Sequence, residues 1–316
     1  MSASKPTCLH DWRISSSMTS VGYLDVMYCF EENEPYVFRI REEYKNTDCG
    51  QALLRQALRR RKDRIVCTQP TQVRLRRGRG RRVTMHRLTE IPAWERLMKR
   101  MVWEQMGFPK GEKILDFGSG EGITANHFAG ENRVTAVEPW EEMLKNRWQD
   151  YPYEQIAGDL SALRQFPDGC FDRVICHNVL EYIDDKEAVI RELARVLKPG
   201  GEMSVMKHNR YGRVMQTAVL LDDVDKANEL LDGKNSMASK FGAIRYYEDE
   251  DIPRWEPSLC IEKVYGIRTF WDLQQNQEKH GDEDWQKRMK QLEMRVAEMD
   301  AFRRIAFFHH LILKKR

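Results

Sequence analysis

The chain has 316 residues, 41% hydrophobic and 32% charged, which is enough apolar content for a buried core and excludes wholesale disorder. No run approaches the roughly 18 consecutive apolar residues of a membrane-spanning helix, and the opening MSASKPTCLHDWRISS lacks the apolar stretch of a secretory signal. Seven scattered cysteines without a Cys-x-x-Cys pair argue against a disulfide framework or zinc ribbon, so a cytoplasmic globular protein is expected. Net charge is only +3, but thirteen Lys and Arg face a single acid, Asp63, between Ala52 and Thr89, so this segment carries +12 and the remainder −9. Twelve of the thirteen are Arg, suited to bidentate phosphate contacts. A polyanion contact, a solvated arm without a partner, and a true start near Met85 are all left open. Residues 1–90 are read as a basic extension of unknown role.

In chain order, residues 21–41 place two aromatic and β-branched runs around Glu-Glu-Asn-Glu-Pro, predicting a β-hairpin. Gln51–Arg64 has helical apolar spacing, and Val73–Leu88 is either a second hairpin or a basic arm. Pro92 can open a helix whose face carries Leu97, Met101, Val102 and Met106. From Glu112 the pattern becomes regular. Strands are predicted at Lys113–Phe117, Arg133–Glu138, Tyr153–Ala157, Phe171–His177 and Met203–Lys207. Helices are predicted at Thr124–Phe128, Trp140–Trp148 and Lys186–Leu197, the last stopped by Lys-Pro-Gly-Gly. Such alternation implies an α/β fold with a Rossmann-like, doubly wound, mostly parallel sheet. Residues 208–258 interrupt it with a helical stretch, Val214–Leu231, and read as a lid-like insertion in a domain spanning 91–316. Two closing strands, Cys260–Thr269 and Arg304–Leu313, flank a helix at Glu283–Met299, the last strand running antiparallel. A small α+β extension precedes the domain.

The most informative segment is Asp116-Phe-Gly-Ser-Gly-Glu-Gly122, between an apolar strand and a helix. Gly118 and Gly120 permit a tight turn and close backbone approach to a ligand, and Glu138 ends the next strand, where a carboxylate can accept ribose hydroxyls. A dinucleotide fingerprint needs G-x-G-x-x-G, whereas here the third glycine comes one residue early, at Gly122. Asp116 would repel a pyrophosphate but can help hold an ammonium. S-adenosyl-L-methionine, with an ammonium, a sulfonium and no phosphate, fits that charge pattern better.

Residues 112–207 resemble the core of class I, type 11-like S-adenosylmethionine-dependent methyltransferases, through the glycine motif, Glu138, Gly158-Asp-Leu160, Phe171–Tyr182 and Leu197–Gly201. The resemblance implies that Asp116, Gly118, Ser119 and Gly120 border the methionine moiety and that Glu138, followed by Pro139, takes the ribose. It also implies that Asp159 bonds the adenine amine, that Leu160 contacts the ring and that His177 sits beside the methyl group. A narrower similarity to bacterial tRNA 5-carboxymethoxyuridine methyltransferases runs from Trp94 to Lys314, through His177–Tyr182, Met203–Asn209, Gly266–Asp272 and Glu293–Lys314. This family esterifies the carboxylate of a modified wobble uridine. Met98 stands where a cofactor-holding Arg is expected, with Arg96 and Arg100 nearby as substitutes.

That likeness makes Arg268 the candidate partner of a substrate carboxylate, with an ion pair to Asp272 as its competing use. Asn209 and His177 complete the catalytic candidates, against helix capping for Asn209 and packing for His177. The acceptor is then an oxygen, in tRNA or in a small metabolite or quinone-type molecule. A different class of reading makes the chain a non-catalytic RNA-binding protein working through its Arg-rich segment. His309 and His310 point to opposite faces of the last strand, and no metal site is expected. Oligomeric state is not legible.

Overall fold

The computed structural model describes residues 23–31, 34–41, 86–238 and 242–316. The expected helix at Gln51–Arg64 and most of the basic segment lie outside the described residues. The chain divides into two compact units, Met1–Arg82 and Val83–Arg316. In the first, β1 (Tyr23–Glu31) and β2 (Glu34–Arg41) pair antiparallel with Met27 opposite Val37, the hairpin expected there.

The second unit begins with α1 (Ala93–Gln105), which Pro92 precedes with a φ of −54° that suits a helix entrance. Then come β3 (Lys113–Phe117), α2 (Ile123–Ala129), β4 (Arg133–Glu138), α3 (Glu141–Lys145), β5 (Glu154–Ala157) and β6 (Phe171–His177). After them run α4 (Lys186–Val196), β7 (Leu197–His208), α5 (Arg210–Val219), α6 (Val224–Leu231), β8 (Ser236–Ala238), β9 (Gly242–Ile244) and α7 (Asp251–Trp255). The chain closes with β10 (Leu259–Ile267), α8 (Glu283–Val296), α9 (Asp300–Arg303) and β11 (Phe308–Lys315). Seven strands form one sheet in the order β10-β11-β7-β6-β3-β4-β5, with only β11 antiparallel to its neighbours. Side chains alternate between two cores. Ile114, Ile175, Met206 and Ile312 meet α1 and α2, while Leu115, Val174, Cys176 and Leu313 meet α4.

Several boundaries differ from expectation for local reasons. The stretch read as one helix at Val214–Leu231 is two, because Asp222 adopts a left-handed φ of 52° and Asp223 caps α6 through Lys226 N at 2.9 Å. The helix expected at Trp140–Trp148 shortens to α3. Strand β7 starts at Leu197, its Lys198–Gly201 segment bulging from the ladder between the pairs Phe171–Leu197 and Arg173–Glu202. The last strand starts at Phe308 rather than Arg304, since Asp300 pairs with Arg303 and Arg304 to hold a helical turn there. It is buried on both faces, Ile312 packing into one core and Leu311 and Leu313 into the other.

Helix α5 approaches the end of the sheet backbone to backbone. A Cβ on Gly212 would fall 2.1 Å from Ala306 O and 2.6 Å from Phe307 Cα. Gly212→Ala must therefore push α5 off the loop before β11, at a cost of about 1–3 kcal/mol. Thermal unfolding should show a fall of roughly 2–4 °C per kcal/mol for a unit of this size. An unchanged melting temperature would show that the helix is not held by this contact.

Candidate active site

The chain runs outward from β3 through β4 to β5, then returns to place β6 on the other side of β3. Where strand order reverses, the loops after adjacent strands diverge and open a crevice at their carboxyl ends. Gly118, at a φ of 74°, follows β3 directly, and a Cβ there would meet Val179 Cγ2, beyond β6, at 2.3 Å. The close approach required at Gly118 is thus to Val179. At Gly120, with a φ of 56°, the space a Cβ would enter is open, and the backbone itself faces the crevice.

Two buried acids line this loop. Glu138 accepts from Gly120 N (2.8 Å, through Oε2) and from Trp140 N (3.0 Å, through Oε1), so it ties the loop to the start of α3. Each of its oxygens keeps a further lone pair. Asp116 is 3% exposed and its Oδ2 has no hydrogen-bond partner among the described residues. Burial pushes its carboxyl up to about 6, against the pull of the Lys99 ammonium and a hydrogen bond from the Ala125 backbone. Lys99 donates to Thr124 Oγ1 at 2.9 Å and so stands at the start of α2. The resemblance expects such a cation at position 98, with Arg96 or Arg100 as substitutes. Met98 is core, Arg96 bonds Gln286, and Lys99, one residue after Met98, carries the charge. Its helical neighbour Trp103 stacks on His127 with centroids 3.7 Å apart, a helix-to-helix contact that spacing alone does not announce.

Ser119 Oγ is also buried without a partner among the described residues. Asp159 is exposed and accepts from Ser161 N (2.9 Å) and Ser161 Oγ (2.7 Å), hydrogen bonds that hold its carboxyl below the usual range. Leu160 is half-buried beside it, and Pro139 is exposed next to Glu138.

On the β6–β7 side, His177 is not poised as a base. It shares a hydrogen bond with Ser204 Oγ (2.7 Å), which shares another with His310 (2.7 Å), and His310 reaches Gln105 Oε1 (2.7 Å). Burial, with His310 and Lys99 nearby, holds His177 well below its usual range, so the ring is neutral and a poor proton acceptor. Asn209 is committed to structure: it caps α5 through Tyr211 N and donates to Arg304 O (2.9 Å) and Ala306 O (2.8 Å). Arg268 is likewise diverted. Its side chain, 7% exposed, pairs with Asp272 and lies over Trp94, Phe307 and Phe308, 4.9–5.3 Å from their centroids. Its backbone is left-handed at a φ of 61°, stabilised by Glu293, which accepts from Thr269 N, Phe270 N and Trp271 N. The expected substrate partner is therefore an internal ion pair.

Two further polar groups lie on this side. Arg213, over the Phe307 ring at 6.0 Å, has a buried Nε without a partner among the described residues. Glu181, fully buried, accepts from His208 N (2.6 Å) and His208 Nδ1 (3.0 Å). Glu181 lies within the Phe171–Tyr182 motif, but its pairing across 27 positions leaves no periodic signal.

Residues 115–205 match the family model described as a methyltransferase domain. The chain carries a methyltransferase domain over these residues. It is 33% identical over 36% of its length to a ubiquinone/menaquinone biosynthesis C-methyltransferase of Shewanella woodyi, covering 50% of that protein. It is 32% identical over 35% of its length to a ubiquinone biosynthesis O-methyltransferase of Xanthomonas oryzae pv. oryzae, covering 48%. Against these relatives the chain spans about half of their length. A tRNA 5-carboxymethoxyuridine methyltransferase of Escherichia coli is 25% identical over 73% of this chain and 90% of its own.

The methyltransferase domain suits a cationic cofactor: buried acids with unfilled acceptor positions line the loop, beside one ammonium for a carboxylate. Among the described residues no group of three or more His, Cys, Asp or Glu could hold a metal, and no helix is long and apolar enough to cross a membrane. Because Asp116 attracts an ammonium only as its anion, affinity for S-adenosylmethionine should fall as pH drops through about 6. The decline is up to about tenfold per pH unit. Calorimetry across that range should show it in the wild type and lose it in Asp116→Asn. Lys99→Met, which removes the charge that lowers Asp116, should move the decline to higher pH. A flat wild-type profile would deny Asp116 this role.

Proposed function

We propose that this protein transfers a methyl group from S-adenosylmethionine to an oxygen acceptor, with the carboxylate of a modified wobble uridine in tRNA as the leading acceptor. The observation that carries the reading is the glycine loop flanked by buried Asp116 and Glu138 with acceptor positions to spare. When bound, the cofactor supplies an electrophilic methyl on a sulfonium. Asp116 takes the ammonium, Lys99 the methionine carboxylate and Glu138 the ribose hydroxyls, with Ser119 and Pro139 bordering them. Asp159 takes the adenine amine, Leu160 the ring face, and neutral His177 packs beside the methyl without drawing a proton. Alignment supplies most of the rate, since displacement at a sulfonium needs the nucleophile in line and desolvated. Arg213, half-buried and bonded to Gln216 rather than to an acid, takes the part of carboxylate partner that Arg268 gives up to Asp272.

The tRNA acceptor is supported by the Escherichia coli relative, whose match extends well beyond the methyltransferase domain, and by the +12 segment between Ala52 and Thr89. A small-molecule hydroxyl is the second reading, favoured by the Glu181–His208 pair and in keeping with the quinone-pathway relatives.

Calorimetry should find S-adenosylmethionine binding in the wild type and a loss of about tenfold or more in Asp116→Ala with Glu138→Ala. Equal affinity in both would remove the site. Nucleoside mass spectrometry of tRNA from a deletion strain should show the methyl ester replaced by its free acid. Unchanged ester content would leave the small-molecule acceptor standing.

A further inference from the structure

His177 ends β6, and its hydrogen bond to Ser204 begins a chain that runs away from the crevice into the core. Ser204 lies on β7, His310 on β11 and Gln105 at the end of α1. The contacts His177 Nε2 to Ser204 Oγ, Ser204 Oγ to His310 Nε2 and His310 Nδ1 to Gln105 Oε1 are each 2.7 Å. Ser204 and His310 are fully buried, so water does not compete for these bonds. Burial, with His310 and Lys99 nearby, holds His177 well below its usual range, and burial holds His310 at about 3. Both rings are therefore neutral near pH 7, each with a single N–H.

A hydroxyl has one proton to donate. Between two imidazole nitrogens Ser204 must donate to one and accept from the other, which makes the two rings opposite tautomers. Gln105 Oε1, a carbonyl oxygen, can only accept, so His310 carries its proton on Nδ1. His310 Nε2 then accepts from Ser204, and Ser204 accepts from the proton on His177 Nε2. The second nitrogen of His177, Nδ1, thus holds a lone pair and no proton. An amide on α1 sets the polarity of a ring at the end of β6.

We propose that Gln105, His310 and Ser204 are positioning residues that fix His177 as the Nε2–H tautomer, and that this tautomer favours the cationic S-adenosylmethionine over its neutral product. This rests on the reading that places His177 beside the methyl group. A nitrogen lone pair attracts a sulfonium, whereas an N–H in its place repels it. S-adenosylhomocysteine, a neutral sulfide, carries no net charge on sulfur for either to act on. The chain of hydrogen bonds therefore biases the site toward fresh cofactor and against spent cofactor.

The test uses the full-length protein labelled with 15N-histidine. The wild type is compared with Gln105→Met, which keeps the side-chain length but removes the acceptor, with Gln105→Lys, whose ammonium can only donate, and with Ser204→Ala. In the wild type, before any ligand is added, NMR should show His177 with a pyrrole-type Nε2 and a pyridine-type Nδ1. The pattern should reverse in Gln105→Lys and average between the two in Gln105→Met and Ser204→Ala. Calorimetry should find affinity for S-adenosylmethionine lowered about threefold to tenfold in all three variants. Affinity for S-adenosylhomocysteine should be unchanged. Gln105 is not among the residues assigned to the cofactor, so its variants separate the tautomer from the shape of the site. A wild-type His177 with its proton on Nδ1, or a tautomer indifferent to Gln105, would overturn the proposal. So would equal losses for the two ligands, the mark of a merely structural role, or no loss for either, and the cofactor reading would survive all of these. A wild type that binds neither ligand would sink the cofactor reading and this proposal with it.

Discussion

The site depends on keeping two carboxylates out of water at the carboxyl edge of a parallel sheet. Desolvating an acid is costly unless hydrogen bonds or an opposite charge offset it. For Glu138 the offset comes from backbone N–H groups on both sides, at Gly120 and Trp140. For Asp116 it is incomplete: the Lys99 charge and the Ala125 backbone help, but one oxygen is unpartnered and the carboxyl stays pushed up to about 6. An acid left in this state gains from any cation that enters, and that is the physical basis of the cofactor assignment. The same geometry makes Gly118 irreplaceable, because its left-handed backbone sits against Val179 where the loops after β3 and β6 meet.

The acceptor side is organised on the opposite basis. Most of its polar groups are already satisfied by the protein and act as struts. Asn209 joins α5 to the segment before β11, and Arg268 is locked between Asp272 and three aromatic rings. Asp249 anchors the insertion to the sheet through Lys207 (2.9 Å) and His309 (2.8 Å). Burial raises its pKa, but these hydrogen bonds and the Lys207 charge outweigh it and hold the carboxyl well below its usual range. That contribution to stability is present at neutral pH and is lost only as pH falls through the lowered value. Buried polar atoms without a partner among the described residues occur here too, on Arg213, Glu181, Arg268 and Asp272.

Much of the fold was legible because its signals are local. A strand, a glycine loop, a helix and an acid at the end of the next strand all lie within Lys113–Glu138, and each is set by neighbours a few residues away. The β11 alternation correctly sent His309 and His310 to opposite faces, to Asp249 and to Ser204. Misreadings came where a side chain competed with the backbone, as at Asp223 and Asp300.

By itself, then, the sequence determined the order of elements, the parallel sheet, the glycine loop and the positions of its acids, since periodicity and spacing are properties of a short stretch of chain. Only the tertiary structure decided that Lys99 faces Asp116, that Arg268 turns inward to Asp272, that Asn209 is a strut and that Glu181 holds His208. A charge pairs with whatever group packing brings within about 4 Å. For Glu181 and His208 that packing joins segments 27 residues apart, a distance at which no pattern in the chain names the partner.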